Sequence, residues 1–175
     1  LERAGEACFK AMRHFFSYAE RLLVFCGHGH NAGDGYVLAR LAQIAGLDVT
    51  VIHFKPLECL PVAAHHAALC ALEAGVFCQL WDEDIIEFEG DLVIDALLGI
   101  GLQGAVREPF FSVIHQINQS ALPVMSLDIP SGLNADTGCV MGVCVRADVT
   151  VTFIGRKFGM YTCDGPDYCG NIVVD

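Results

Sequence analysis

Seven short apolar runs, at residues 22–26, 49–54, 76–80, 92–95, 124–127, 149–153 and 172–174, recur along this chain, and stretches with helical rhythm separate several of them. Those stretches fall at 35–45, 62–74 and 109–119, after an opening amphipathic helix marked by Ala4, Ala7, Cys8, Ala11, Phe15 and Tyr18. Strands alternating with helices of this length form βαβ units, whose parallel strands need a crossover and whose sheet is covered on both faces. The sequence therefore predicts an α/β fold, a Rossmann-like three-layer α/β/α sandwich with a mostly parallel central sheet. No linker, repeat or composition shift divides the chain, and 175 residues suit a single domain over 1–175.

A hydrophobic fraction of 54% agrees with strands buried on both faces. It does not indicate a membrane protein, because no uninterrupted apolar run approaches the roughly 18 residues of a spanning helix. The richest window, 60–77, is broken by His65, His66 and Glu73. A net charge of −11 with ten scattered Lys and Arg opposes binding to nucleic acid, which needs clustered cations to displace counterions from phosphates. Nine cysteines, an odd number without a C-x-x-C pair, point to reduced thiols and a cytoplasmic protein. Cys26, Cys70 and Cys78 read as small core residues. Zinc is the sharper alternative for Cys139, Cys144, Cys163 and Cys169, although their spacing matches no finger or ribbon. No signal-peptide pattern opens the chain, and a start without Met, already in helical rhythm, suggests trimming from something longer.

The segment 26–35 reads Cys-Gly-His-Gly-His-Asn-Ala-Gly-Asp-Gly and hands a strand over to a helix. Such a turn lets backbone approach a phosphate, and the helix start adds free N–H donors and a positive dipole end. Gly27, Gly29 and Gly33 are spaced one residue too widely for the dinucleotide fingerprint. The next strand ends in Ile52-His53-Phe54, without the acid that holds a ribose, and no Gly-Lys-Ser/Thr follows. A conventional NAD-dependent dehydrogenase and a P-loop are both disfavoured. Asn31 and Asp34 bring side-chain oxygens to the loop; the plainer reading has Asn31 in a left-handed turn and Asp34 capping the helix.

In open parallel sheets ligands bind beyond the carboxyl ends of the strands, where strand order reverses. Asp95 ends one strand and leads into a second glycine-rich loop, Gly99-Ile100-Gly101-Leu102-Gln103-Gly104-Ala105. Asp128 ends another and leads into Ile129-Pro130-Ser131-Gly132. Asn31, Asp95, Asp128 and Ser131 are thus expected on one rim, where Asp128 is the candidate to give and take a proton. Lys157 is a second candidate, for phosphate or proton transfer, against the plain alternative of a solvated lysine in a turn.

Asn-x-Gly-Asp-Gly at 31–35, Asp-Ala-Leu-Leu-Gly-Ile-Gly-Leu-x-Gly at 95–104 and Leu-Asp-Ile-Pro-Ser-Gly-Leu-Asn at 127–134 together resemble the amino-terminal YjeF domain family of NAD(P)H-hydrate epimerases. Glu2-Arg3-Ala4-Gly5 and Thr152-Phe153-Ile154-Gly155-Arg156-Lys157-Phe158-Gly159 extend the likeness over nearly the whole chain. The resemblance implies epimerisation of the R and S hydrates of NADH and NADPH (NADHX and NADPHX). It implies a monovalent cation, K+, at Asn31, Asp95 and Ser131. It also implies substrate contacts at His30, Asn31, Ala32, Gly33 and Asp34, at Gly99, Ile100, Gly101, Leu102, Gln103, Gly104 and Ala105, and at Asp128. Further implications are a homodimer and a fused or separate ADP/ATP-dependent dehydratase. The family usually writes Asn-Asn-Gly-Gly-Asp-Gly where this chain has His30 and Ala32, so a methyl group stands where a ligand or a positive φ was expected. Some YjeF-like domains are interaction scaffolds without catalysis; retention of Asn31, Asp95, Asp128 and Ser131 argues against that here.

Overall fold

A computed structural model describes residues 1–82 and 88–175. Its elements run α1 (Glu2–Phe15), β1 (Arg21–Cys26), α2 (His30–Ile44), β2 (Asp48–His53), α3 (Val62–Glu73), β3 (Phe77–Leu80) and β4 (Leu92–Ala96). They continue as α4 (Phe110–Gln119), β5 (Val124–Leu127), β6 (Val149–Thr152), α5 (Gly165–Cys169) and β7 (Asn171–Val174), with 3-10 turns at Leu57–Cys59 and Phe158–Tyr161. The seven strands form one sheet in the order β3-β2-β1-β4-β5-β6-β7, and every neighbouring pair is parallel.

The period of two along each strand divides its side chains between two cores. In β1, Leu22, Val24 and Cys26 point to the side covered by α1, α2 and α3, where they meet Cys8, Met12, Tyr36 and Ala68. Leu23 and Phe25 point to the other side and pack with Phe110, Val113, Ile114 and Ile117 of α4. These are the three layers the alternation of elements predicts. Among the described residues no helix is long and apolar enough to cross a membrane.

One boundary differs in a way that bears on the site. The sequence places the start of the second helix at Gly35, yet α2 begins at His30, with Gly29 as its N-cap. Packing overrides the poor helix propensity of glycine there. A Cβ at Gly33 would lie 2.7 Å from Leu1 Cδ2 and 3.3 Å from Ala64 Cα; at Gly35 it would lie 2.7 Å from Ala96 Cβ and 2.8 Å from Cys26 Sγ. Those two glycines let α2 settle onto the sheet and α3, so only Gly27 and Gly29 remain in the turn. Asp34 therefore lies inside the helix and does not cap it, and Ala32 is helical and buried without a positive φ.

Strand order reverses between β1 and β4, whose register pairs Phe25 with Asp95 and Cys26 with Ala96. The loops leaving β1, β4, β5 and β6 consequently share one rim, and all of them contribute to a cleft of about 1020 Å³.

Candidate active site

Asp95 is wholly buried at the end of β4 and is held by four hydrogen bonds. Ser126 Oγ donates to Oδ2 at 2.7 Å and Ser131 N to the same oxygen at 2.9 Å, while Ser131 Oγ and Leu97 N donate to Oδ1 at 2.5 and 3.3 Å. Burial pushes this carboxyl above the usual carboxylate range, against the pull of those donors. Ser131 Oγ also accepts from Leu98 N at 2.9 Å, and the Leu98 carbonyl lies 3.2 Å from Ser131 Oγ and 3.5 Å from Asn31 Nδ2. Asn31 Nδ2 donates to Leu127 O at 3.2 Å as well. Asn31 Oδ1 is buried and has no hydrogen-bond partner. Asn31 and Ser131 therefore meet at the Leu98 carbonyl, and Ser131 ties Asp95 to them on the same rim. Their hard oxygen donors carry one carboxylate and no thiol or imidazole, a set suited to a small-charge, oxygen-seeking cation.

Asp128 follows β5 with φ +66°, in the left-handed region that a short Asp side chain tolerates. Its Oδ1 lies 2.5 Å from Lys157 Nζ, and both side chains are nearly buried. Lys157 Nζ also donates to Thr152 Oγ1 at 2.8 Å and to the Phe153 carbonyl at 2.9 Å. This corrects the plain reading of Lys157 as a solvated turn lysine: the β6 loop returns it across the end of its own strand onto the neighbouring strand's carboxylate. A proton can move between these groups without crossing bulk water.

The cleft joins this pair to the glycine loops. His28, Gly29, His30, Asn31 and Asp34 come from the β1–α2 side, and Gly99, Ile100, Gly101, Leu102 and Gln103 from the β4 side. A Cβ at Gly99 would sit 3.5 Å from Asn31 Cβ and 3.8 Å from Asp128 Oδ2, so this glycine lies between the two carboxyl-end clusters. Asp34 is half-buried, and among the described residues its Oδ1 has no hydrogen-bond partner. Burial raises its carboxyl to about 6, with Asp128 adding to the rise and the amino terminus and His30 opposing it.

Other expected contacts lie elsewhere. Ala32 and Gly33 belong to the buried side of α2 and do not line the cleft. Gly104 lines an adjoining recess of about 570 Å³ with Asn134 and Asp136. Ala105 is exposed and lines neither space. Sequence reasoning missed Ser126 and Thr152, whose signal was a polar residue near the carboxyl end of a short, wholly buried strand. It also missed His28, Ile154, Arg156 and Phe158. The signal for the last three was the placement of β6 beside β5, which brings its exit loop to the same rim.

Among the described residues no cluster of three metal-ligating His, Cys, Asp or Glu side chains occurs. Cys144 and Cys169 are buried while Cys139 and Cys163 are exposed, so the four do not gather into a zinc site.

A fully parallel Rossmann-like sheet with a cleft at the strand-order reversal, lined by two glycine loops and an aspartate–lysine pair, defines an open, doubly wound α/β protein. A family model described as "YjeF-related protein N-terminus" matches residues 1–159, and the chain belongs to that family. It is 47% identical over 173 residues to a protein of Coxiella burnetii named bifunctional NAD(P)H-hydrate repair enzyme Nnr, covering 99% of this chain and 35% of that protein. It is 36% identical to a Limosilactobacillus fermentum protein named NAD(P)H-hydrate epimerase, covering 99% of this chain and 83% of that protein. The chain thus spans about a third of the bifunctional relative and most of the epimerase. The crystal structure of yeast ynu0 superposes with a TM-score of 0.79 at 23% identity, over 89% of this chain and 70% of the yeast chain, a likeness of fold.

Proposed function

We propose that this chain interconverts the R and S hydrates of NADH and NADPH, an isomerase reaction of nucleotide repair. The Asp128–Lys157 pair carries the reading, because it presents a carboxylate and an ammonium 2.5 Å apart inside a cleft flanked by glycine loops. The family membership and the similarity to proteins named for this metabolite support it.

The hydrated ring bears its hydroxyl on a carbon bonded to nitrogen. Once an acid protonates that hydroxyl, the nitrogen lone pair expels water and leaves an iminium-like carbon, to which water returns on either face. Opening to an aldehyde and reclosing inverts the same centre. Both routes need a positioned proton donor and acceptor and a negative group near the positive carbon. In this reading Asp128 moves the proton and steadies the cation, and Lys157 holds the carboxylate and returns the proton. The uncapped first turn of α2 and the Gly99–Gly104 loop hold the diphosphate through backbone N–H groups.

Asn31, Asp95 and Ser131 are the residues we propose for a monovalent cation, with potassium the candidate. Such an ion supplies fixed positive charge that orders the converging loops and favours the phosphates. A homodimer belongs to this proposal, as does a dehydratase acting on the same metabolite, fused or separate; the bifunctional names of the relatives support the dehydratase alone. Nine free cysteines suit a cytoplasmic setting.

The deciding experiment incubates the protein with one purified hydrate epimer in potassium buffer and follows the other epimer by chromatography. Conversion well above the spontaneous rate is expected. An epimer ratio that drifts only at the uncatalysed rate identifies a non-catalytic scaffold instead.

A further inference from the structure

Cys139 and Cys163 face each other with their sulfurs 3.5 Å apart, and both are exposed. They lie on opposite sides of a seam between the loop at 134–139 and the segment at 158–164. Hydrogen bonds bracket the pair: Asp164 N donates to Gly138 O at 3.0 Å, Val140 N to Asp164 Oδ2 at 3.1 Å, Thr162 Oγ1 to Thr137 O at 3.2 Å and Gly159 N to Ala135 O at 2.7 Å. The backbones approach so closely that a Cβ at Gly138, where φ is +74°, would lie 2.1 Å from the Thr162 carbonyl oxygen. Close approach at residue 138 sets the adjacent Cys139 against Cys163. The other cysteines share none of this: Cys8, Cys26, Cys144 and Cys169 are buried, Cys70 and Cys78 half-buried, and Cys59 is exposed but in no thiol pair.

We propose that Cys139 and Cys163 are a thiol oxidation site, closing to a reversible disulfide by exchange with a small-molecule disulfide such as oxidised glutathione. Cys139 thiolate attacks one sulfur of the small disulfide and expels the other half as thiolate. Cys163 then gives up its proton and attacks the Cys139 sulfur of the mixed disulfide, expelling the second small thiol. The two cysteines lose two electrons and two protons, and one small disulfide becomes two thiols. The hydrogen bond with Cys139 and the nearby Asp164 carboxylate raise the Cys163 thiol above its ordinary range. The disulfide staples the wall carrying Ala135 and Asp136 to the segment carrying Phe158, all three of which line the cleft. This site stands independently of what the cleft binds.

The test equilibrates the folded protein with oxidised glutathione, quenches with acid and maps peptides. Fragmentation is needed because Cys144 and Cys169 fall in the same tryptic peptides as the pair. A cross-link between Cys139 and Cys163 is expected, with a thermal midpoint raised by about 5 °C or more, as for a bond that constrains the unfolded chain. Dithiothreitol should reverse both. Cys163→Ser should instead trap glutathione on Cys139 and show no rise. Separate glutathione adducts on both cysteines, a cross-link through Cys59, or two thiols still free at full oxidant would each overturn the proposal.

Discussion

Lys157 Nζ and Asp128 Oδ1 stand 2.5 Å apart because β5 and β6 are neighbours and their exit loops turn toward each other. Asp128 occupies the left-handed region at φ +66°, a conformation that Asn adopts as readily as Asp. Asp128→Asn should therefore fold normally and keep size and much of the hydrogen bonding while losing charge and the exchangeable proton. Hydrate should bind nearly as well, and epimerisation should fall by about 10² to 10⁴. A binding titration beside a conversion time course checks this; a parental rate reduces Asp128 to a ligand contact.

The same pair makes a stability prediction. Lys157→Met leaves a nearly buried carboxylate with Thr152 Oγ1, at 3.5 Å, as its remaining side-chain hydrogen-bond partner among the described residues, at a cost of about 1–3 kcal/mol after allowance for its partial exposure. Adding Asp128→Asn removes the orphaned charge, so the double variant should be more stable than Lys157→Met alone. Urea melts of the four proteins in the cycle give the coupling. Additive losses would mean that the pair contributes nothing.

Asp34 gives a pH dependence. Burial raises its carboxyl from 3.8 to about 6 in the folded protein. The native carboxyl therefore binds a proton more tightly than the unfolded one. Stability from this group is fully present below about pH 4 and is lost as pH rises to about 6. Asp34→Asn is neutral throughout, so without ligand its thermal midpoint should gain on the parent between pH 4 and pH 7. A gap that stays constant with pH would remove Asp34 as the cause.

The parallel sheet was legible because apolar runs and helical stretches alternate, and the rim followed because carboxyl-end residues in such sheets share one edge. Asn31, Asp95 and Ser131 could be grouped in that way before any contact was known. The start of α2 was not legible, since Gly33 and Gly35 look like loop residues until Ala64, Ala96 and Cys26 are seen against them. Nor was the partner of Lys157, because it depends on which strand lies beside β6. The Cys139–Cys163 pair was hidden for a similar reason: its spacing means nothing without the close approach at Gly138.

Ser131 tests whether the oxygen cluster is structural, ion-binding or both. Ser131→Ala removes the hydroxyl that donates to Asp95 Oδ1 and accepts from Leu98 N, which should cost about 1–3 kcal/mol. If a cation also binds here, any dependence of the thermal midpoint on potassium concentration in the parent should shrink in the variant. Melting in potassium and in a bulky organic cation separates the two effects. An undiminished potassium dependence would place the ion elsewhere.

The two glycine loops should answer substitution in opposite ways. A Cβ at Gly27 would lie 1.9 Å from the Leu97 carbonyl oxygen and 2.8 Å from its carbon, and Gly27 N donates to Ala96 O at 3.0 Å. Backbone cannot yield there without prising the exit of β1 from that of β4. Gly27→Ala should thus destabilise the fold by about 1–3 kcal/mol, the usual range for overpacking. At Gly101 a Cβ would meet nothing within 4 Å, so Gly101→Val should melt with the parent. Its branches would instead occupy cleft space where backbone is proposed to approach the diphosphate, and hydrate affinity should fall by about tenfold or more, a loss of about 1.4 kcal/mol or more. Thermal melts and titrations of both variants distinguish the roles. Parental affinity in the folded Gly101→Val protein would move the diphosphate to the α2 start alone.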